Sequence, residues 1–207
     1  IGFGTTHMSL YQLTIEPGTR FATDVAKRQW EPLDDDVAAD LYELTRMRME
    51  AAGLPAYEIS NHAAPGQESR HNLAYWRYQD YVGIGPGAHG RRTAMATQRH
   101  KKPENFMAAV ARKLHGLQVE DPLDTATQAM EALLMGLRLR EGVDISALSD
   151  RFAIGSGDLI DWTAVEKLAA LGFVEREEAH LSVTPKGFPL LDAILPQIVA
   201  IEPTPDA

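Results

Sequence analysis

The segment His7-Met8-Ser9-Leu10-Tyr11-Gln12-Leu13-Thr14-Ile15-Glu16-Pro17-Gly18 sets the architecture. Residues 7–15 read as a strand of mixed polarity, closed by Glu16-Pro17-Gly18, where proline fixes φ and glycine frees it. Residues 34–52 form the next element, a helix. Asp34, Asp35 and Asp36 suit the positive end of its dipole. Val37, Leu41, Leu44, Met47 and Ala51 recur at helical spacing, and Gly53 ends the run. Residues 55–60 (Pro-Ala-Tyr-Glu-Ile-Ser) read as a second short strand. Strand, helix and strand joined by a long crossover form the pattern of a parallel βαβ unit. The expected fold class is therefore α/β, with a helical part after it. One such unit cannot close a barrel. Together with a start lacking Met, this predicts further chain upstream of Ile1.

Beyond Gly90 the character changes. Residues 91–101 read as a basic hairpin or loop. Helices are expected over 103–115 with Pro103 in the first turn, 124–140, 144–152, 161–171 and 185–200. On the second of these, Met130, Leu133, Leu134, Met135 and Leu137 are expected to face a core. Residues 173–176 and 180–183 suggest a small hairpin, and Glu202-Pro203-Thr204-Pro205 a proline-rich tail. Three short helices and a terminal hairpin make a winged-helix-like pattern. The expected domains are 1–102 and 103–207.

Charge excludes the nucleic-acid reading that a winged helix invites. The chain is at −9 overall, and residues 140–207 carry five basic residues against twelve acids. A surface that neutralises phosphates needs the opposite sign. With 44% hydrophobic and 24% charged residues the composition is that of an ordinary globular protein. No run of 18 apolar residues exists, so no membrane-spanning helix is expected. Zero Cys excludes disulfides and thiolate metal sites, and fits a reducing, cytoplasmic location.

Against that background one island stands out. Residues 70–102 hold seven Arg and Lys and a single acid, Asp80. Four of the chain's fifteen aromatic residues, Tyr75, Trp76, Tyr78 and Tyr81, fall within 75–81. Such an island suits a flat, anionic, apolar ligand. Rings supply stacking area, arginine forks such as Arg70 and Arg77 pair with carboxylates, and an imidazole can ligate a metal. Packing of the same rings in a core is the competing reading. Gly83-Ile84-Gly85-Pro86-Gly87 lacks dinucleotide-fingerprint spacing, and Pro86 removes an amide. It is either a tight turn or a place where backbone approaches a ligand. His62 and His71 lack the partners of a zinc site. Glu16 and Glu58 lie near strand ends without a catalytic mark.

These residues together resemble a known family. Residues 11–19 (YQLTIEPGT), 57–61 (YEISN), 70–76 and 80–90 are similar, in order, to the second half of HemW-type proteins. These are radical S-adenosylmethionine proteins related to oxygen-independent coproporphyrinogen III oxidase. The hexapeptide His71-Asn72-Leu73-Ala74-Tyr75-Trp76 is the most specific part, a H-N-x-x-Y-W motif that the family associates with haem binding. The resemblance implies the last β/α units of a partial (β/α)6 barrel, followed by a small helical domain with a wing. It implies a [4Fe–4S] cluster and S-adenosylmethionine in the longer protein, the cluster held by a C-x-x-x-C-x-x-C motif that this chain lacks. By itself the chain is therefore expected to be inactive in radical chemistry. The resemblance also implies His71, Asn72, Tyr75 and Trp76 as haem-binding residues, with His71 on the iron, and Thr14 and His89 beside S-adenosylmethionine. His62 stands where the family often has an aromatic residue.

Three functions are open at this point. The first is haem binding with delivery to acceptor proteins. The second is oxidative decarboxylation of coproporphyrinogen III. The third is a scaffold or subunit contact, since an unpaired first strand presents an edge to a second copy.

Overall fold

The computed structural model describes residues 2–201; Ile1 and the expected proline-rich tail lie outside the described residues. The chain divides into two compact units, residues 1–68 and 69–207. In the first unit, β1 (His7–Ser9) leads through an extended, ladder-free stretch to α1 (Arg20–Ala26) and α2 (Asp35–Ala51), and the chain then enters β2 (Asn61–Ala63). Both helices start at a side-chain cap: Thr19 accepts from the Ala22 amide and Asp34 from the Asp36 amide.

The expected parallel βαβ unit is not what forms. β1 and β2 pair antiparallel, with Met8 opposite His62. The strand read at 7–15 makes a ladder only over three residues, and 55–60 is no strand. The cause is a reversal inside Tyr57-Glu58-Ile59-Ser60-Asn61. The Tyr57 amide bonds the Asn61 carbonyl at 3.1 Å, the Ala63 amide bonds Pro55 at 3.1 Å, and Ala56 bridges His62 antiparallel. The buried Glu58 carboxylate holds the turn by accepting from the Ser60 amide at 2.9 Å and from the Asn61 side-chain amide. The chain thus runs one way through 55–57 and re-enters against β1 in the other.

The helix read at 34–52 is present, but its apolar stripe is not covered. Val37, Leu41, Leu44 and Met47 are each more than 40% exposed, and only Met49 is buried. Size explains this: a seventeen-residue helix is about 25 Å long, whereas a three-residue strand spans about 10 Å.

The second unit opens with α3 (Arg70–Trp76), then the hairpin β3 (His89–Arg92) and β4 (Met95–Arg99). α4 (Pro103–Lys113) comes next, and then β5 (Leu117–Pro122), which the sequence pattern did not announce and which pairs antiparallel with β4 to complete a β3-β4-β5 sheet. α5 (Thr125–Gly136) stops four residues short of the expected end. Its neighbours are β6 (Val143–Asp144), α6 (Ile145–Phe152), an unexpected α7 (Ser156–Leu159) and α8 (Trp162–Ala170). β7 (Val174–Glu177) and β8 (His180–Val183) form the hairpin, with β6 added in the order β6-β8-β7. A 3-10 turn at Phe188–Leu190 precedes α9 (Leu191–Ile198).

The side chains of Asp124, Asp144 and Asp161 cap α5, α6 and α8 by accepting amides three residues on. Between these elements lies the main core, which includes Leu133, Leu137, Leu139, Ile145, Leu181 and Ile194, each at most 2% exposed. On α5 the buried side is Ala129, Ala132, Leu133 and Gly136, while Met130, Leu134 and Met135 are half-buried. At Gly136 an added Cβ would lie 2.4 Å from the Val143 side chain, so α5 and β6 pack with no room for a larger residue.

No break falls at 102/103. Residues 69–102 are tied to the C-terminal elements by the β4–β5 ladder, by Arg77 to Glu141 and by Tyr78 to Glu131. No helix among the described residues is long and apolar enough to cross a membrane.

Candidate functional site

The aromatic and basic island is built on α3 and the chain just after it. Ser69 caps the helix, its hydroxyl accepting from the Asn72 amide at 3.3 Å. Four-residue spacing puts His71 and Tyr75 on one face and Asn72 and Trp76 on the next. His71 is exposed, and its Nδ1 lies 3.4 Å from the Asn72 side-chain oxygen. Tyr75 and Trp76 are half-buried rings packed edge to face at 5.0 Å, and Tyr75 meets Tyr81 at 5.3 Å. Arg138 lies 5.2 Å over the Trp76 ring. The motif thus presents an imidazole to solvent from the same short helix that carries a packed aromatic pair.

The helix is anchored from behind. Arg77 makes a bidentate pair with Glu141, both contacts at 2.7 Å, and the guanidinium lowers the Glu141 carboxyl below the usual range despite partial burial. That fork is engaged by the protein, so the reading of Arg77 as a partner for a ligand carboxylate does not fit this conformation. Arg70 is exposed.

Tyr78 has a positive φ of 54° and is 2% exposed. The Arg91 guanidinium covers its ring at 3.4 Å, its hydroxyl donates to Glu131 at 2.5 Å, and its carbonyl accepts from Arg151 at 2.9 Å. Burial first, and the Glu131 carboxylate second, push its phenol well above the ordinary value. Arg91 in turn donates to the Gln79 carbonyl at 3.1 Å, yet its Nε is buried without a partner. The island therefore splits by role. Tyr78 and Arg91 are packed structure, whereas His71 faces out.

The glycine run packs backbone on backbone. A Cβ on Gly83 would lie 2.3 Å from the His89 carbonyl oxygen, and one on Gly90 would lie 2.8 Å from the Gly83 nitrogen. Gly85 and Gly87 take φ values of 91° and 74°, the left-handed region that glycine enters freely. Of the two readings left open, the tight turn is the one the geometry carries.

The expected S-adenosylmethionine neighbours fall in different units. Thr14 lies exposed in the ladder-free stretch of residues 1–68. His89 begins β3, exposed, with its Nε2 3.1 Å from the Gln98 side-chain nitrogen. Among the described residues no group of three His, Asp or Glu side chains could hold a metal ion. With zero cysteines, the residues present do not fit a thiolate-held cluster. A haem iron needs an accessible imidazole, and the exposed His71 could supply one.

Comparison with known proteins adds an independent line. Residues 123–190 match the model of the HemN C-terminal domain. The chain is 34% identical to the mitochondrial "Radical S-adenosyl methionine domain-containing protein 1" of Dictyostelium discoideum, covering 95% of this chain and 50% of that protein. It is 32% identical to "Heme chaperone HemW" of Mycobacterium tuberculosis, over 93% of this chain and 47% of that one. Against "Heme chaperone HemW" of Bacillus subtilis the identity is 30%, with coverages of 87% and 48%. The chain spans about half the length of these relatives. In fold it is similar to coproporphyrinogen III oxidase (HemN) from Escherichia coli, described as a radical SAM enzyme, with a TM-score of 0.70 at 16% identity. The match covers 95% of this chain and 48% of that one.

Proposed function

Since the chain belongs to the HemW-like family of radical S-adenosylmethionine proteins, we propose that this protein binds haem at α3 and passes it to acceptor proteins. The observation that carries the reading is the exposed His71 imidazole on the same short helix as the packed Tyr75–Trp76 ring pair. With its proton on Nδ1, facing the Asn72 side-chain oxygen, the ring would offer the Nε2 lone pair as the donor to iron. Tyr75 and Trp76 supply apolar area, and Arg70 supplies a cation for a propionate.

On the same reading residues 1–68 form the end of a partial barrel, with Thr14 near S-adenosylmethionine. The winged-helix-like domain lies within residues 103–207. A cluster bound in such a protein would supply one-electron chemistry, its thiolates coming from outside this chain. The open side of β1 would pair with neighbouring polypeptide or a second copy. A cytoplasmic setting goes with this proposal; some relatives are named as mitochondrial.

The test is a haemin titration of the protein and of His71→Ala, read by the Soret band. A shifted Soret maximum in the parent and an affinity at least about tenfold weaker in the variant are expected. Equal spectra and equal affinities would remove His71 as the ligand. The fold likeness to the Escherichia coli oxidase supports a second reading, coproporphyrinogen III decarboxylation. An anaerobic assay on the cluster-loaded longer protein separates it: product formation would favour the oxidase over the carrier.

A further inference from the structure

One face of the β3-β4-β5 sheet carries a cavity of about 380 Å³ that the haem reading does not use. Its size falls in the range of small-molecule pockets, roughly 300–1,000 Å³. The cavity of about 230 Å³ beside Arg77 is smaller, and the Glu141 clasp lies across it.

Strand register explains which residues converge. Thr97 stands opposite both Gly90 and Glu120, and Arg99 stands opposite Leu117 after a register shift between Gln98 and Arg99. Irregularities of this kind re-aim a side chain. The result places Arg92, Thr97, Arg99, His115, Leu117 and Glu120 around one space.

Its chemistry is one-sided. Arg99 donates its Nε–H to the Gly83 carbonyl at 2.5 Å, which fixes the guanidinium plane and leaves both terminal nitrogens without a protein partner among the described residues. The His115 Nδ1 accepts the Leu117 amide at 3.3 Å, so the ring presents its Nε2–H as a second donor. The Thr97 hydroxyl is a third. The single acid, Glu120, is engaged by Arg92 at 2.7 Å. Two arginines against one carboxylate leave a net positive charge in a chain at −9 overall. Leu117 and Val82 add an apolar margin.

We infer that this sheet face binds a small organic carboxylate, its two oxygens on the terminal nitrogens of Arg99 with His115 as the additional donor. A planar fork matches a carboxylate in two parallel hydrogen bonds. An arginine already held by its Nε loses little freedom on binding. The inference does not rest on haem binding at α3.

Calorimetric titration of the whole chain with benzoate tests it, with inorganic phosphate as the comparison anion. Saturable benzoate binding is expected in the millimolar range or tighter, weakened about tenfold by Arg99→Gln. Glu120→Gln should strengthen it several-fold, because that change removes the competing acid and frees Arg92. Glu120 is exposed, so this variant reports binding without endangering the fold. Absence of saturable benzoate binding would overturn the site. So would unchanged affinity in either variant, and binding of phosphate alone would overturn the carboxylate assignment. Haemin titrated into Arg99→Gln distinguishes the sources of the group: affinity equal to the parent's assigns the site to free small carboxylates, whereas a matching loss assigns it to the propionates of haem.

Discussion

His62 shows how one substitution within a familiar motif sets a protein's response to acid. It is 2% exposed, and its Nδ1 has no partner. Burial comes first in holding its imidazole below the ordinary value of 6.5, opposed by a hydrogen bond to the Leu54 backbone and reinforced by the Arg46 charge. The folded protein therefore binds fewer protons than the unfolded chain in the window below about pH 6.5. Stability is lost as the pH falls through that window, down to the lowered folded value. Urea denaturation at pH 7.5 and pH 5 should show a smaller loss on acidification for His62→Phe than for the parent. An identical loss would remove His62 as the cause. The sequence flagged this position as a departure from an aromatic residue. Burial of the ring was not legible there, because it depends on the reversal at residues 57–61.

At the scale of elements, the turn between β3 and β4 breaks the usual rule. Thr93 and Ala94 both take positive φ, 50° and 59°, where two-residue hairpins favour Asn-Gly. The Asp80 carboxylate accepts the Thr93 amide at 2.9 Å and holds the turn in place. Replacing the pair by T93N and A94G relieves left-handed strain and should raise stability by about 1 kcal/mol. Thermal melting checks this, and a lowered midpoint would contradict it. The absent Asn-Gly signal is also why the sequence predicts only a basic hairpin or loop at residues 91–101. β5 was missed for a related reason: it is short and four of its six residues are exposed, so Leu117 and Val119 alone mark its inner side. Helix ends were easier to read where an aspartate cap announces them. The parallel βαβ reading failed because strand polarity was set by a side chain, the Glu58 carboxylate, rather than by hydrophobic pattern.

Over the whole chain, burial is unevenly shared. Among the described residues, the buried apolar side chains of residues 1–68 are Met49, Leu54 and Ala63, and the remainder lie in residues 69–207. Local stability follows buried contacts, so amide exchange should be fast across residues 2–68 and slowest in α5, α8 and α9. Uniform protection along the chain would contradict the division. A cavity in the larger core should be costly: Leu133→Ala is expected to lower stability by about 2–5 kcal/mol, measured by denaturant unfolding. The helical half was largely legible, since amphipathic spacing and a compact core coincide there. The exposed stripe of α2 was not, because periodicity reports a face to be covered and not what covers it. At the candidate site the motif residues were read by likeness. The division between outward His71 and inward Tyr78 follows from the positive φ of Tyr78, which no sequence pattern announces.

The edge-to-face packing of Trp76 against Tyr75, beneath Arg138, has a practical corollary. Of three indoles, Trp30 lies with Phe21 in residues 1–68 and Trp162 under Arg176 near the hairpin, whereas Trp76 shares one short helix with His71. The molecule carries its own optical gauge: a chromophore docking on that helix would dim this emitter by energy transfer, with no dye attached.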